Sequence, residues 1–265
     1  MPLVQLHPDY LDFPPAEQAL DDPPGLLAIG GDLSPERLLA AYSQGIFPWF
    51  DDDSPILWWS PDPRMTLKPA DVHASRSMRK LIRQGGYQVR LDEQFEKVIR
   101  HCAIRPVGTD SAASFQPVQT KSDQTGIESP TPEVELEDTW ITEDMQDAYT
   151  ELHHQGFAHS VEVYDASDAL IGGLYGISLG RMFFGESMFS LAPNASKLAF
   201  ISLATLLQRL DFNCIDCQMP TDHLASLGAT PMPRHTFLDA LAENDESRTI
   251  RGSWSGYASL CKATL

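Results

Sequence analysis

The chain has 265 residues, of which 42% are apolar, and carries a formal net charge of −18. That length supports a real core in one large or two small domains, and no run approaches the ~20 consecutive apolar residues of a membrane span. The acidic balance excludes casual binding of nucleic acid through bulk charge, and four cysteines (Cys102, Cys214, Cys217, Cys261) do not make a disulfide framework at this size.

Residues 1–24 are rich in Pro and Asp and predict irregular backbone with brief strands. Met1 to Tyr10 lack the basic-then-apolar pattern of a signal peptide, so a cytoplasmic chain is expected. Gly30-Gly31-Asp32 reads as a turn, because no complete phosphate-loop pattern surrounds it. Ser34 is then a natural N-cap with Pro35 in the first helical position, and the helix runs to about Gln44 and stops at Gly45. Residues 46–64 hold Trp49, Trp58 and Trp59 among prolines 48, 55, 61 and 63. They form either a small core or a stiff platform for a ring or nucleobase, where stacking is worth ~1–3 kcal/mol per base.

Between Arg64 and Arg105 there are ten Lys/Arg against four acids, a local balance of +6. A helix is predicted from Ser75 to Gln84. Arg76, Arg79, Lys80 and Arg83 recur on one of its faces. That face is either plain solvated surface or a phosphate-contacting patch on an otherwise acidic protein. A strand at 87–91 and a helix capped by Asp92 complete this unit. Residues 106–138 carry seven acids and one Lys, four prolines and few large apolar residues. They predict a mobile acidic insertion.

Order resumes at Trp140. Thr142 caps a helix with Glu143 and Asp144 in its first turn, where they favour the dipole; it ends at Gly156. A strand at 160–164 leads to a hairpin at 170–189 that folds back at Leu179-Gly180, since Gly180 can take the positive φ of a tight turn. A helix at 195–210, a strand at 212–219 and a helix opening at Thr221 follow, and the tail past Leu241 is polar and weakly patterned. Glu186 lies inside the second hairpin strand among Phe183, Phe184, Met188 and Phe189. A carboxylate there must be paired, protonated or useful, because an unpaired buried charge costs several kcal/mol. Asp216 lies in the next strand, two residues before Gln218, so the two share a face. Two acidic strand positions in one half of the chain mark the candidate site. Cys214 and Cys217 form a C-x-x-C inside that strand rather than at a helix N-terminus, and read as ordinary buried thiols.

Eight blocks in one order carry a resemblance: GLLAIGGDLSPERLLAAYSQGIFPWF (25–50), ILWWSPDPR (56–64), TWIT (139–142), GFAHSVEV (156–163), GGLYGISLGRMFFGESMFS (172–190), NASK (194–197), IDCQ (215–218) and DHLASLGA (222–229). Together they resemble the leucyl/phenylalanyl-tRNA–protein transferases. The resemblance implies an α+β fold. A small N-terminal domain (1–63) would precede a GNAT-like acyltransferase domain (64–241), with a mostly antiparallel mixed sheet flanked by helices. The 106–138 insertion and a 242–265 C-terminal extension are additions to that plan. It also implies transfer of leucine or phenylalanine from charged tRNA to proteins beginning with Arg or Lys, which marks them for degradation, with no cofactor, metal or membrane involved.

By the same resemblance, Asp216 orients Gln218, and Gln218 meets the attacking amine. Glu186 holds the amino group of the aminoacyl moiety, and Gly185 leaves room for its backbone. Leu174 and Met188, with Phe200 and Leu203 from the next helix, receive the apolar side chain. Trp49 and Trp140 sandwich the terminal adenosine, and Arg76, Arg79, Lys80 and Arg83 touch acceptor-stem phosphates. The alternative reading is a GNAT-type acyltransferase with an acyl-CoA donor. The link at 190–197, Ser-Leu-Ala-Pro-Asn-Ala-Ser-Lys, contains no glycine to cradle a CoA pyrophosphate, which disfavours it. A non-enzymatic tRNA-binding or adaptor module is the third reading, and the two placed carboxylates weigh against it.

Overall fold

Backbone pairing divides the strands into two sheets, and the boundary falls between Trp59 and Arg64. The structure is a computed structural model and describes residues 3–104, 118–119 and 141–262. The predicted insertion lies outside these residues except for 118–119, and Trp140 lies outside them.

The first sheet has the order β1-β2-β4-β3. It comprises β1 (Val4–Leu6), β2 (Leu26–Gly30), β3 (Phe47–Pro48) and β4 (Leu57–Trp59). Helix α1 (Pro35–Tyr42) starts as its sequence dictates, with the Ser34 hydroxyl accepting the Arg37 N–H at 3.4 Å. Trp58 is buried, and its indole N–H donates to the Gly30 carbonyl at 2.8 Å.

The second sheet has the order β12-β5-β11-β10-β9-β8-β6. Its strands are β5 (Arg64–Leu67), β6 (Tyr87–Leu91), β8 (Ala158–Asp165), β9 (Leu170–Leu179), β10 (Met182–Ser190), β11 (Cys214–Gln218) and β12 (Thr230–Met232). Along this order every pair is antiparallel except β10–β11. The two residues of β7 (Val118–Gln119) also pair parallel with β10. The chain is thus α+β, with a mostly antiparallel mixed sheet flanked by helices.

Helices cover this sheet on both sides, so β8, β9 and β10 are buried along nearly their whole length. Phe183 and Phe184 show the alternation, each joining a different apolar cluster. One cluster joins Phe184, Tyr175 and Ile177 to α3 (Phe95–Ala103), α4 (Glu143–His154), Tyr42 of α1 and Trp58 of the first sheet. The other packs Phe183, Leu174 and Met188 under α5 (Ala195–Arg209), which is apolar around most of its girth because it is enclosed. The 1–63 and 64–241 segments therefore have separate sheets but share the first of these clusters.

Three local expectations change. The hairpin loop is Gly180-Arg181, since Leu179 already pairs with Met182; Gly180 does take a positive φ, of 57°. Asp92 caps no helix: Gln94 stands at the start of α3. Instead the Asp92 carboxylate accepts from the backbone of Ser160 (2.8 Å) and Trp254 (2.6 Å) and lies 2.9 Å from His159 Nδ1. The tail past Leu241 is a working part of the fold. Asn244 spans the hairpin turn, accepting from the Arg181 N–H at 2.8 Å and donating to the Leu179 carbonyl at 3.0 Å. Trp254 is buried and stacks on His159 at 3.8 Å between centroids. The C-x-x-C thiols are inert by environment. Burial pushes Cys214 up to about 12, and Cys217 lies well above the ordinary thiol value for the same reason.

Sequence patterning does not reveal Trp254 as a core residue, and its contacts give it weight. Trp254→Ala is expected to destabilise the protein by about 3–5 kcal/mol, the usual cost of deleting a buried aromatic. Urea unfolding of the two proteins measures this, and a loss under 1 kcal/mol would show that the tail is merely draped on the surface.

Candidate active site

The site begins where a strand pair comes apart. Strands β10 and β11 pair in register from Met182 with Cys214 to Phe184 with Asp216, and no further. Each strand then breaks its own register with its other neighbour. β10 shifts against β9 between Gly185 and Ser187, which leaves Glu186 as the extra residue. β11 shifts against β5 between Asp216 and Gln218, which leaves Cys217 as the extra one. Such bulges bend a strand and re-aim its side chains. Between Phe184 and Phe189, where β7 takes up pairing, the edge of β10 therefore faces a strand turning away from it.

Gln218 bridges the parting. Its φ is +60°, a left-handed conformation uncommon for a residue with a side chain. Its backbone N–H donates to Asp216 Oδ1 at 2.9 Å, and its Nε2 donates to Glu186 Oε1 at 2.9 Å. Its Oε1 accepts no hydrogen bond among the described residues. The sequence-based reason for placing Asp216 and Gln218 together, a period of two along a strand, does not apply across this bulge. What joins them is the carboxylate accepting the neighbouring backbone N–H.

Glu186 is fully enclosed. Oε1 also accepts from the Tyr42 hydroxyl at 2.7 Å, and Oε2 accepts from the Tyr149 hydroxyl at 3.0 Å. The two tyrosine oxygens also lie within hydrogen-bond reach of each other; two phenols bring two protons to three contacts, so the third proton is that of the Glu186 carboxyl in its neutral form. Burial raises the Glu186 carboxyl from its ordinary 4.5 to about 7, with the Asp216 charge adding to the rise and the three hydrogen bonds opposing it. Burial pushes Tyr42 and Tyr149 well above the usual phenol value, so both stay protonated as donors.

Asp216 is also enclosed and is held by Arg64. Nε and Nη2 of the guanidinium donate to its two oxygens at 2.8 and 2.6 Å. Arg64, one of the ten cations of residues 64–105, is buried and belongs to the site. Tyr42, Tyr149 and Arg64 are the members that sequence reasoning missed. Tyr42 sits at the end of α1 and Tyr149 inside α4, where each reads as an ordinary core aromatic.

The other predicted residues fall into four groups. Trp49 is half-buried, and its carbonyl accepts the Trp59 indole N–H at 2.7 Å. It packs against the apolar cluster that contains Tyr42 and Tyr149, on the Glu186 side of the sheet. Gly185 is buried in β10 opposite Gly176. Leu174 and Met188 are direct cross-strand partners, but with Phe200 and Leu203 they belong to the cluster under α5, not to the one that meets Glu186. Arg76, Arg79, Lys80 and Arg83 are exposed on α2 (Arg76–Gln84) and make no ion pair among the described residues. Three of them, Arg76, Lys80 and Arg83, line an open groove with Ser75 and Ser77.

Among the described residues no group of three or more His, Cys, Asp or Glu is placed to hold a metal ion. What the site offers is a desolvated carboxyl with a value near neutrality, three polar donors fixed upon it, and a glutamine amide with its acceptor end free.

Comparison with known proteins gives the context. Residues 66–112 and 125–242 match the family described as Leucyl/phenylalanyl-tRNA protein transferase, and residues 31–62 match that family's N-terminal domain. The chain is 52% identical over 242 residues to the leucyl/phenylalanyl-tRNA–protein transferase of Pseudomonas putida, covering 91% of this chain and 95% of that protein. It is 49% identical over 254 residues to that of Anaeromyxobacter sp. (strain K), covering 96% of each. Among solved structures, L-PGS from Bacillus licheniformis aligns with a TM-score of 0.36 at 9% identity, over 72% of this chain and 54% of that one, too distant a likeness to carry an argument. With identity near one half over almost the full length, the chain belongs to the leucyl/phenylalanyl-tRNA–protein transferase family.

Proposed function

We propose that this enzyme transfers leucine or phenylalanine from charged tRNA to the α-amine of proteins that begin with Arg or Lys, a cytoplasmic reaction that marks them for degradation. One observation carries the reading beyond family membership. Two parallel strands part at Phe184 and Asp216, and a single residue, Gln218, joins the acids on either side, its backbone N–H donating to Asp216 and its side-chain amide to Glu186. A gap of this kind suits an ester carbonyl approached by an amine.

The reaction is aminolysis. A neutral amine attacks the aminoacyl carbonyl, forming the C–N bond and an oxyanion; as the oxyanion collapses the C–O bond breaks, and the proton shed by the amine ends on the departing ribose oxygen. The ester is already activated, so alignment supplies much of the rate. The ammonium of the bound aminoacyl group takes the place of the tyrosine and glutamine donors around Glu186, which ionises to receive it. The free Oε1 of Gln218 accepts an N–H from the incoming amine and aims its lone pair at the carbonyl. Both Asp216 oxygens are engaged by Arg64, so Asp216 acts by holding Gln218. Leu174, Met188, Phe200 and Leu203 enclose the apolar side chain beneath the gap, and Gly185 keeps β10 slim where the ligand's backbone passes. Trp49, with Trp140, takes the terminal adenosine, and the cations of α2 receive acceptor-stem phosphates, contacts that position the RNA without reading its sequence. Among the described residues no helix is long and apolar enough to cross a membrane.

The decisive assay mixes the protein with radiolabelled leucyl-tRNA and a peptide beginning with Arg. Label should move to the peptide, and acetylating the peptide's α-amine should abolish it. Absence of label in the peptide, or acylation of the peptide from acetyl-CoA instead, would overturn the reading.

The pH profile tests Glu186. Its carboxylate form is needed, and its value in the free enzyme is about 7, so kcat/KM for the peptide should fall on the acid side with a limiting slope of about 2, one ionisation from Glu186 and one from the peptide's own α-amine at about 8. Glu186→Gln should cut that slope to about 1 and lower kcat/KM on the order of 10–100-fold at pH 8, the loss of about 1.5–3 kcal/mol from a charge-assisted hydrogen bond. A slope that stays at about 2 in Glu186→Gln would assign the enzyme's ionisation to another group. Replacing Arg76, Arg79, Lys80 and Arg83 together with Gln should weaken charged-tRNA binding and reduce the slope of log K against log salt by up to about 3; an unchanged slope would dismiss the patch.

A further inference from the structure

Arg64 has no solvent exposure, and four residues from three separate stretches of chain hold its guanidinium. Nε and Nη2 grip the two oxygens of Asp216 on β11. Nη1 donates to the Gly45 carbonyl, just past the end of α1, at 3.1 Å. The guanidinium carbon lies 4.7 Å from the ring centre of Phe47 on β3 and 4.9 Å from that of Phe237 on α7 (Arg234–Ala242). The fork is thus clamped between two aromatic faces and aimed along one direction.

That direction matters because of what Asp216 does next. Its Oδ1 accepts the backbone N–H of Gln218, and Gln218 stands at φ +60°. A non-glycine residue holds that conformation only when its surroundings impose it. If the carboxylate rotates, the N–H loses its acceptor and the backbone can relax, carrying Nε2 away from Glu186.

We infer that Arg64 is a positioning residue for aminoacyl transfer: it fixes Asp216, Asp216 fixes the backbone of Gln218, and the end of the site that meets the amine is set by a side chain that touches neither substrate. The inference rests on the transfer reading above. It also ties the site to the first sheet, since Gly45 and Phe47 are among the groups that aim the fork. Lysine cannot reproduce this, because one ammonium cannot match two carboxylate oxygens and a carbonyl in a planar fork.

The test compares Arg64→Lys, Asp216→Asn and the double variant Arg64→Gln/Asp216→Asn, which removes both charges together so that no lone charge stays buried. Arg64→Lys should bind charged tRNA with a Kd within about twofold of wild type, while kcat falls by about 100-fold, as expected for misplacement on the order of 1 Å. The double variant should be no slower than Asp216→Asn alone, within about twofold, because both changes cut the same chain of contacts. A crystal structure of Arg64→Lys should show Gln218 out of its left-handed conformation. The inference is overturned if Arg64→Lys retains wild-type kcat, if losses multiply in the double variant, or if Gln218 stays in place in that structure. The last readout needs no turnover, so it decides the positioning role even if the wild-type protein transfers nothing and the function reading itself fails.

Discussion

The parting of β10 from β11 is the constraint on which the rest of the molecule depends. A parallel pair normally continues until one strand ends. Here it stops at Phe184 and Asp216 while both strands run on, because each takes a bulge at its acidic side. The bulges free backbone that would otherwise be committed to the sheet, and they turn Glu186 and Gln218 toward each other. Ligands approach most closely where backbone is not already paired, and this is such a place in the middle of a wide sheet.

Opening a sheet at its centre exposes polar groups to a dry interior, and the surrounding network answers that cost. Glu186 has three donors, Asp216 has Arg64 and a backbone N–H, and Arg64 has a carboxylate, a carbonyl and two aromatic faces. A buried ion pair contributes little net stability, since desolvation offsets the attraction. Its worth is in geometry: a network in which both carboxylates and the guanidinium are partnered has one arrangement, and any shift leaves a buried group unpaired. Retaining such a network instead of an apolar core fits a site that must hold two reacting groups in register.

The two sheets are separable on paper and joined in the molecule. Trp58 and Tyr42 from the first 63 residues lie in the same apolar cluster as Tyr175 and Phe184 from the large sheet. Tyr42 supplies a donor to Glu186, and Gly45 and Phe47 grip Arg64. The N-terminal segment therefore completes the site, and the shared core keeps those donors from drifting relative to β10 and β11. At the far edge of the sheet the C-terminal residues do comparable work, with Trp254 pinned by Asp92 and His159 and Asn244 bracing the hairpin turn.

Some features were local and so could be read from residues alone. The caps at Ser34 and Thr142 rest on a hydroxyl three residues from an N–H. The hairpin rests on Gly180, the basic face of α2 on spacing, and the family on eight ordered blocks. Glu186, Asp216 and Gln218 stood out because acids and amides are rare in apolar strands. Tertiary structure alone decided the rest, for a physical reason: those features depend on partners far away in sequence. Arg64 looked like one more cation until β11, 152 residues later, brought Asp216 to it. Tyr42 and Tyr149, 107 residues apart, looked like core rings until both met Glu186. Asp92 looked like a helix cap until Trp254 claimed it. The bulges that open the site have no residue signature, because they arise from how each strand settles between its two neighbours.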